Sequence, residues 1–343
     1  MNQTVKTFLK LVAIDSPSGY EHYVAAYLKK WLNKNAFEFK TDEVGNIYAT
    51  NNKPSVPLLF CAHMDTVQPG IGIKPMIKNG IIKSSGTTIL GADNKAALAA
   101  ILTAIENIKP EKAIELLFTV KEETGRGIEF LPFKWIKSKK GLVFDSSKPL
   151  GGIVLCSPYI CNFHVIFTGK AAHASLPEEG INALTPAVKA LQQIKVGVLD
   201  NNITTINIGL VIAGTGINVI PEKTNISGEV RSYDEKLFKK HVDTIKKTFE
   251  KEAKNSVVKM KFVLDGFCAG YSHTKKVPLI AKIDGIYKSL GLSTVFYEYS
   301  GISDANVLVH NGIQTFNLTD GTKYAHTTNE EISEQDLTML TAI

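Results

Sequence analysis

Five short stretches of the chain carry side chains that bind divalent metal ions, and each follows an apolar run or lies in the loop beyond one. They are AHMDT with His63 and Asp65, GADNK with Asp93, KEETG with Glu122 and Glu123, VFDSS with Asp145, and YAHTT with His326. Imidazoles and carboxylates without thiolates suit a hydrolytic site for zinc, cobalt or manganese. Each motif alone has an ordinary reading: an aspartate at a strand end is a cap or turn former, an acidic pair is a solvated surface, and one late histidine says nothing. Their joint occurrence at the close of apolar segments is the signal, because in an open α/β sheet ligands bind at the carboxyl ends of strands.

The elements that must position these residues alternate along the chain. Residues 21–35 have helical period, 56–66 read as a short buried strand, 92–108 as an alanine-rich helix, and 113–123 and 141–147 as buried strands ending in acids. This is the grammar of a sheet covered by helices. The middle differs: strand 159–170, helix 181–194, strands 204–216 and 224–232, helix 234–253 and strand 258–267 follow the βαββαβ order of a ferredoxin-like domain. Helix 277–290, strand 294–299, helix 303–310, strand 313–318 and helix 333–342 then resume the first pattern. The expected fold is α/β, a mixed central sheet covered by helices, with an inserted α+β ferredoxin-like domain. Residues 1–156 and 266–343 would form the first domain and 157–265 the second.

Bulk properties exclude several classes. The 343 residues are 44% hydrophobic and 21% charged, enough for two domains with real cores. No apolar run approaches the roughly 20 residues that span a bilayer. The N-terminal stretch reads as an amphipathic helix with Val5, Phe8, Leu9 and Val12 on one face, not as a secretion signal. Cys61, Cys156, Cys161 and Cys268 form no CxxC pair, so buried thiols in a reducing, cytoplasmic setting are expected, without a membrane. The net charge of +6 comes from lysines interleaved with acids, which argues against a nucleic-acid partner. Of the 39 basic residues only Arg126 and Arg231 are arginine, the planar two-pronged donor.

The ordered set HMD, GADNKA, EETG, FDSS and AHTTNE resembles the co-catalytic zinc metallopeptidase family of peptidase T, glutamate carboxypeptidase and the aminoacylases, over nearly the whole chain. GKAAHAS, GTGINVIPE and GEVRS resemble that family's lid and dimerisation domain, and GADNKA with EETGRG is most similar to the peptidase T-like (tripeptidase) branch. The resemblance implies a zinc exopeptidase-like fold and two divalent ions, zinc with cobalt or manganese as alternatives. Asp93 would bridge them, His63 and Asp145 completing one site and Glu123 and His326 the other. Three carboxylates and a hydroxide would then neutralise two dications.

Further roles follow from the same resemblance. Asp65, two residues beyond His63, would lie on the same side of an extended segment and orient the imidazole. Glu122, pointing away from Glu123 if that segment stays extended, would be the general base that takes a proton from the metal-bridging water and delivers it to the leaving amine. His173 would hydrogen-bond the oxyanion, reaching in from the partner subunit; alone it reads as a buried strand-end histidine. Asn218 and Arg231 would hold the substrate backbone or a carboxylate. Gly301, Ser303 and Asp304 would line the cleft, although Ser303 reads equally as a helix N-cap. Asp145 stands where some members carry glutamate, and Arg126 is left without a role.

The expected activity is that of an exopeptidase releasing N-terminal residues from di- or tripeptides, in a homodimer formed through the lid domain. An amidohydrolase, deacylase or carboxypeptidase acting on N-acyl amino acids would use the same catalytic residues. A non-catalytic metal- or peptide-binding protein would show a broken ligand set. Only about thirty residues separate the HxD segment from Asp93, too few for the domain that large aminopeptidase assemblies insert there.

Overall fold

Asn2 starts the first helix. Its side chain accepts a hydrogen bond from the Thr4 amide at 3.0 Å, satisfying one of the N–H groups that a helix start leaves unpaired. The helix Gln3–Val12 buries Val5, Phe8, Leu11 and Val12, while Leu9 is only partly buried. The computed structural model describes residues 2–125 and 127–343; Arg126 lies outside them. The chain divides into two units, one ending at Cys156 and resuming at His273, the other spanning Ser157–Ser272.

The first unit is built on a mixed sheet. Its strands run in the order Glu38–Thr41, Ile47–Thr50, Ile114–Thr119, Leu58–His63, Lys140–Phe144, Gln314–Leu318 and Gly152–Ser157, and Val295–Glu298 pairs with the last. Leu58–His63 is parallel to both Ile114–Thr119 and Lys140–Phe144, and Gln314–Leu318 is parallel to Lys140–Phe144. Ile114–Thr119 is buried at every position, as expected of a strand covered on both faces. The helix Ala92–Ile108 buries Ala92, Ala96, Ala97, Ala99 and Ala100. These small side chains let it pack against Gln3–Val12 and the C-terminal helix Glu334–Ala342.

One local expectation fails. The segment 113–123 is not extended to its end: the strand stops at Thr119, Lys121 turns with a φ of 55°, and Glu122–Gly125 forms a single helical turn. The positive φ at Lys121, a conformation uncommon for a residue with a side chain, reverses the chain and sets both glutamates on the turn.

The second unit is an antiparallel sheet in the order Gly197–Leu199, Thr204–Ala213, Lys223–Ser232, Tyr159–Thr168 and Lys259–Cys268. Apart from the short first strand, this is the ferredoxin-like arrangement. Helices Leu184–Gln193 and Glu235–Asn255 contribute Ala187, Ala190, Phe238, Ile245 and Phe249 to its core, against Phe163, Phe167 and Val230. The last strand pairs with Tyr159–Thr168 as far as Cys268 opposite Ile160, so the unit closes beyond residue 265. Among the described residues no helix is long and apolar enough to cross a membrane.

Candidate active site

Three neighbouring parallel strands explain why distant motifs meet. Leu58–His63 ends in His63, Lys140–Phe144 is followed at once by Asp145, and Ile114–Thr119 leads into Glu122 and Glu123. Parallel strands place their carboxyl ends on one edge of the sheet, where ligands bind. Asp93 enters from the first turn of the alanine-rich helix with non-helical φ and ψ of −78° and 104°. His326 sits in the loop before Glu331–Ser333, with a φ of 63°.

Asp93 faces an imidazole on each oxygen. Its Oδ1 lies 3.1 Å from His63 Nε2 and its Oδ2 lies 3.4 Å from His326 Nε2. His326 Nε2 is also 3.0 Å from Glu123 Oε1. That contact is a close charge pair without hydrogen-bond alignment, for Glu123 Oε1 is buried and has no hydrogen-bond partner. His63, Glu122 and Asp145 bring one donor atom each within 4.8 Å of one another, and so do His63, Asp93 and Glu123. The first trio includes Glu122, to which the motif resemblance gives no metal contact.

Asp65 is fully buried and organises its surroundings. Its Oδ1 accepts the Glu122 N–H at 3.0 Å and lies 3.4 Å from His63 Nδ1; its Oδ2 accepts the Glu123 N–H at 3.2 Å and the Ser18 hydroxyl at 2.6 Å. His63 Nδ1 is also 3.1 Å from the Asp65 carbonyl oxygen. Asp65 therefore touches the imidazole and also bonds the turn that carries the glutamates. Asp145 is held through its backbone by Asn317, which accepts its N–H at 2.9 Å and donates to its carbonyl at 2.7 Å.

The electrostatics report crowding of like charge. Burial, followed by the Asp304, Glu123 and Asp65 carboxylates and offset by His63, pushes the Glu122 carboxyl well above the usual range. Burial and the Glu122 and Asp93 carboxylates do the same to Asp145. Burial would lower His63, but Asp65 and Asp93 outweigh it and hold the imidazole well above its ordinary value. Contacts with Asp93 and Glu123 raise His326 to about 10. Burial and mutual repulsion thus raise the proton affinity of Glu122 and Asp145, and neighbouring carboxylates raise that of the two histidines. The unpartnered Glu123 oxygen and the all-N,O donor set fit divalent ions of the hydrolytic kind.

The remaining expected residues divide. Ser303 is 4% exposed, and its hydroxyl accepts from Ala305 N at 3.3 Å and Asn317 Nδ2 at 3.3 Å. It caps the helix Asp304–His310 in a capping box and is not a cleft-lining group. A Cβ on Gly301 would come within 3.0 Å of the Tyr299 ring, so the glycine makes room for that ring. Asp304 is buried beneath the site, accepting the Thr119 hydroxyl at 2.5 Å and the Cys61 thiol at 3.5 Å.

In the second unit, His173 and Asn218 lie on adjacent segments, with Ala174 N donating to the Asn218 carbonyl at 2.9 Å and Ile220 N to the Ala172 carbonyl at 2.8 Å. His173 is exposed, not the buried histidine that its sequence context alone would give. Its Nδ1 lies 2.7 Å from the Ser175 hydroxyl and 3.3 Å from the Ser175 amide nitrogen. Arg231 already grips a carboxylate: Nε donates to Glu229 Oε1 at 2.6 Å and Nη2 to Oε2 at 2.9 Å.

Sequence reasoning missed Ser18, Asn317 and Glu330. Ser18 and Asn317 carry no pattern of their own, whereas Glu330 closes the AHTTNE motif and could have been singled out there.

A family model described as the peptidase dimerisation domain matches residues 158–257. The chain is 33% identical to the uncharacterized Bacillus subtilis protein YqjE, across 97% of this chain and 94% of that one. The crystal structure of aminopeptidase PepT from Bacillus cereus is similar at a TM-score of 0.92 with 34% identity, covering 99% of this chain and 95% of its own. A tripeptidase from Staphylococcus aureus is similar at a TM-score of 0.93 with 32% identity, covering 99% and 95%.

Proposed function

Since the chain belongs to the M20 family of metallopeptidases, to which the PepT aminopeptidases also belong, we propose that it is a two-metal exopeptidase that releases the N-terminal residue of small peptides, tripeptides foremost. The observation that carries this reading is Asp93, with one oxygen toward His63 and the other toward His326. His63, Asp93 and Asp145 would hold one ion, and Asp93, Glu123 and His326 the other. Zinc suits these donors, as do cobalt and manganese. Two such ions supply Lewis acidity and lower the pKa of a water.

The chain's own residues do the rest. Glu122, placed on its turn by Asp65, takes a proton from the attacking water and returns it to the leaving nitrogen. His173 is the donor for the developing oxyanion. Asn218 would hold the peptide backbone, and Arg231 would take a substrate carboxylate by exchanging it for Glu229. Residues 157–272 would serve as lid and as the interface of a homodimer. Exposed Leu210, Val211 and Ile212 on the strand Thr204–Ala213 support that interface. Four free thiols suit a reducing cytoplasm.

The test is metal analysis together with a substrate panel. Two ions per chain and release of free N-terminal residues from tripeptides are expected. Cleavage confined to N-acyl amino acids would move the assignment to a deacylase, and no hydrolysis with saturating zinc, cobalt or manganese would end it.

A further inference from the structure

Glu330 lies outside the ligand set, yet the residue is 1% exposed and its carboxylate is bonded to the backbone that delivers Asp93. Oε2 accepts the N–H groups of Leu90 at 2.8 Å and Gly91 at 2.7 Å, and Oε1 accepts the N–H of Asp93 itself at 3.0 Å. These amides precede or open the helix Ala92–Ile108 and so have no intrahelical acceptor. Gly91 stands there with a φ of 72°, so this stretch is held by Glu330 where helical hydrogen bonding does not reach.

The other end of Glu330 belongs to the His326 loop. Its N–H donates to the Thr327 carbonyl at 3.0 Å, the Thr327 hydroxyl donates to the Tyr324 carbonyl at 2.7 Å, and Lys323 and Glu331 exchange backbone hydrogen bonds at 2.9 and 3.0 Å. The loop is thus internally bonded, with His326 near its tip and Glu330 at its base. We infer that Glu330 is a positioning residue that clasps the Asp93 backbone to the His326 loop, so that the two ligands hold one fixed spacing before any ion arrives. The inference rests on the two-ion reading above. It adds that the affinity of the site depends on a carboxylate that touches no ion, since a preformed spacing spares the ions the cost of ordering two loops.

The test is a cobalt(II) titration of metal-free wild type, Glu330→Gln and Glu330→Asp, read by the visible absorption of the bound ion. It is paired with hydrogen exchange at the Leu90, Gly91 and Asp93 amides in the metal-free proteins. Gln presents an NH2 donor where the carboxylate presented an acceptor, so one side of the clasp opens. Cobalt affinity should fall about 10–100-fold, the absorption bands should change, and the three amides should exchange faster. Asp keeps the charge but falls one methylene short, and should be intermediate. A folded Glu330→Gln protein with wild-type cobalt affinity and spectrum overturns the inference, because a merely structural role lowers the melting temperature without moving either. If Glu330→Gln fails to fold, the Asp variant carries the same two readouts. A wild-type protein that takes up no cobalt sinks the two-ion reading instead, and the exchange rates then decide whether Glu330 holds the Asp93 loop.

Discussion

The Asp65 carboxylate accepts the backbone N–H of Glu122 at 3.0 Å, joining the HxD motif to the acidic pair. One buried side chain thereby connects the His63 ring to the turn that carries the proposed base. Truncation in Asp65→Ala leaves the Glu122 and Glu123 amides and the Ser18 hydroxyl without their acceptor. Each such buried group costs about 1–3 kcal/mol when unpaired. The variant should melt lower when metal-free and bind zinc about 10–100-fold more weakly. Calorimetry and a competitive zinc titration measure the two effects, and unchanged zinc affinity would separate Asp65 from the site.

Glu122→Gln removes the proton acceptor while nearly preserving shape. Ion content should stay at the wild-type level and kcat on a tripeptide should fall about 10²–10⁴-fold, the usual worth of a general base. If ion content falls with kcat, Glu122 is a ligand, as its membership of the trio with His63 and Asp145 allows.

Asp93→Ala should lose both ions at once, because each oxygen serves a different side of the centre. Mass-spectrometric metal analysis after dialysis checks this, and retention of two ions would rule out a bridge.

Metal-free protein should lose stability as pH rises from about 5 to 9. Burial raises Asp304 to about 6, Glu330 to about 7 and Asp320 to about 8, from ordinary values of 3.8, 4.5 and 3.8. The folded chain therefore keeps protons that the unfolded chain has released, and stability declines as pH passes through the folded values. His326, raised to about 10 by Asp93 and Glu123, acts in the same direction: its contribution is full below 6.5 and lost as pH approaches 10. Asp65 and Asp93 are shifted down and act the opposite way below about pH 4, and Lys95, lowered to about 8 by burial, does so above that value. Melting temperatures in chelator across this range decide the matter; a curve that climbs with pH would contradict the assignment. Added zinc should raise the melting point most at high pH, where its ligands are deprotonated.

His173→Ala should lower kcat about 10²–10³-fold with ion content unchanged, the cost of one oxyanion donor. Steady-state kinetics on a tripeptide measure it, and a wild-type rate would remove His173 from the reaction.

Much of the fold is legible in the residues alone. The apolar runs ending in His63 and Asp145 are strands in fact, because a buried strand announces itself through continuous hydrophobicity. The alanine-rich segment is the helix Ala92–Ile108. The short strand Gly197–Leu199 is not legible, being three residues that gain their partner only from Thr204–Ile206. Ser303 has two readings of equal weight in the sequence, and the Asn306 and Asn317 side chains settle it as a cap. The residue pattern puts Glu122 and Glu123 on an extended segment, since nothing local reveals the positive φ of Lys121.

The amino-acid sequence by itself determined the donor chemistry, the order of the motifs and the alternation of elements, because residue type and periodicity are local properties of the chain. Tertiary structure decided that His63 and His326 flank the two oxygens of Asp93, that Asp65 holds the turn of Glu122, and that Glu330 clasps the loop behind them. Those relationships depend on which strands lie side by side and on how loops far apart in the chain close upon each other, and such pairing is settled only when the whole core packs.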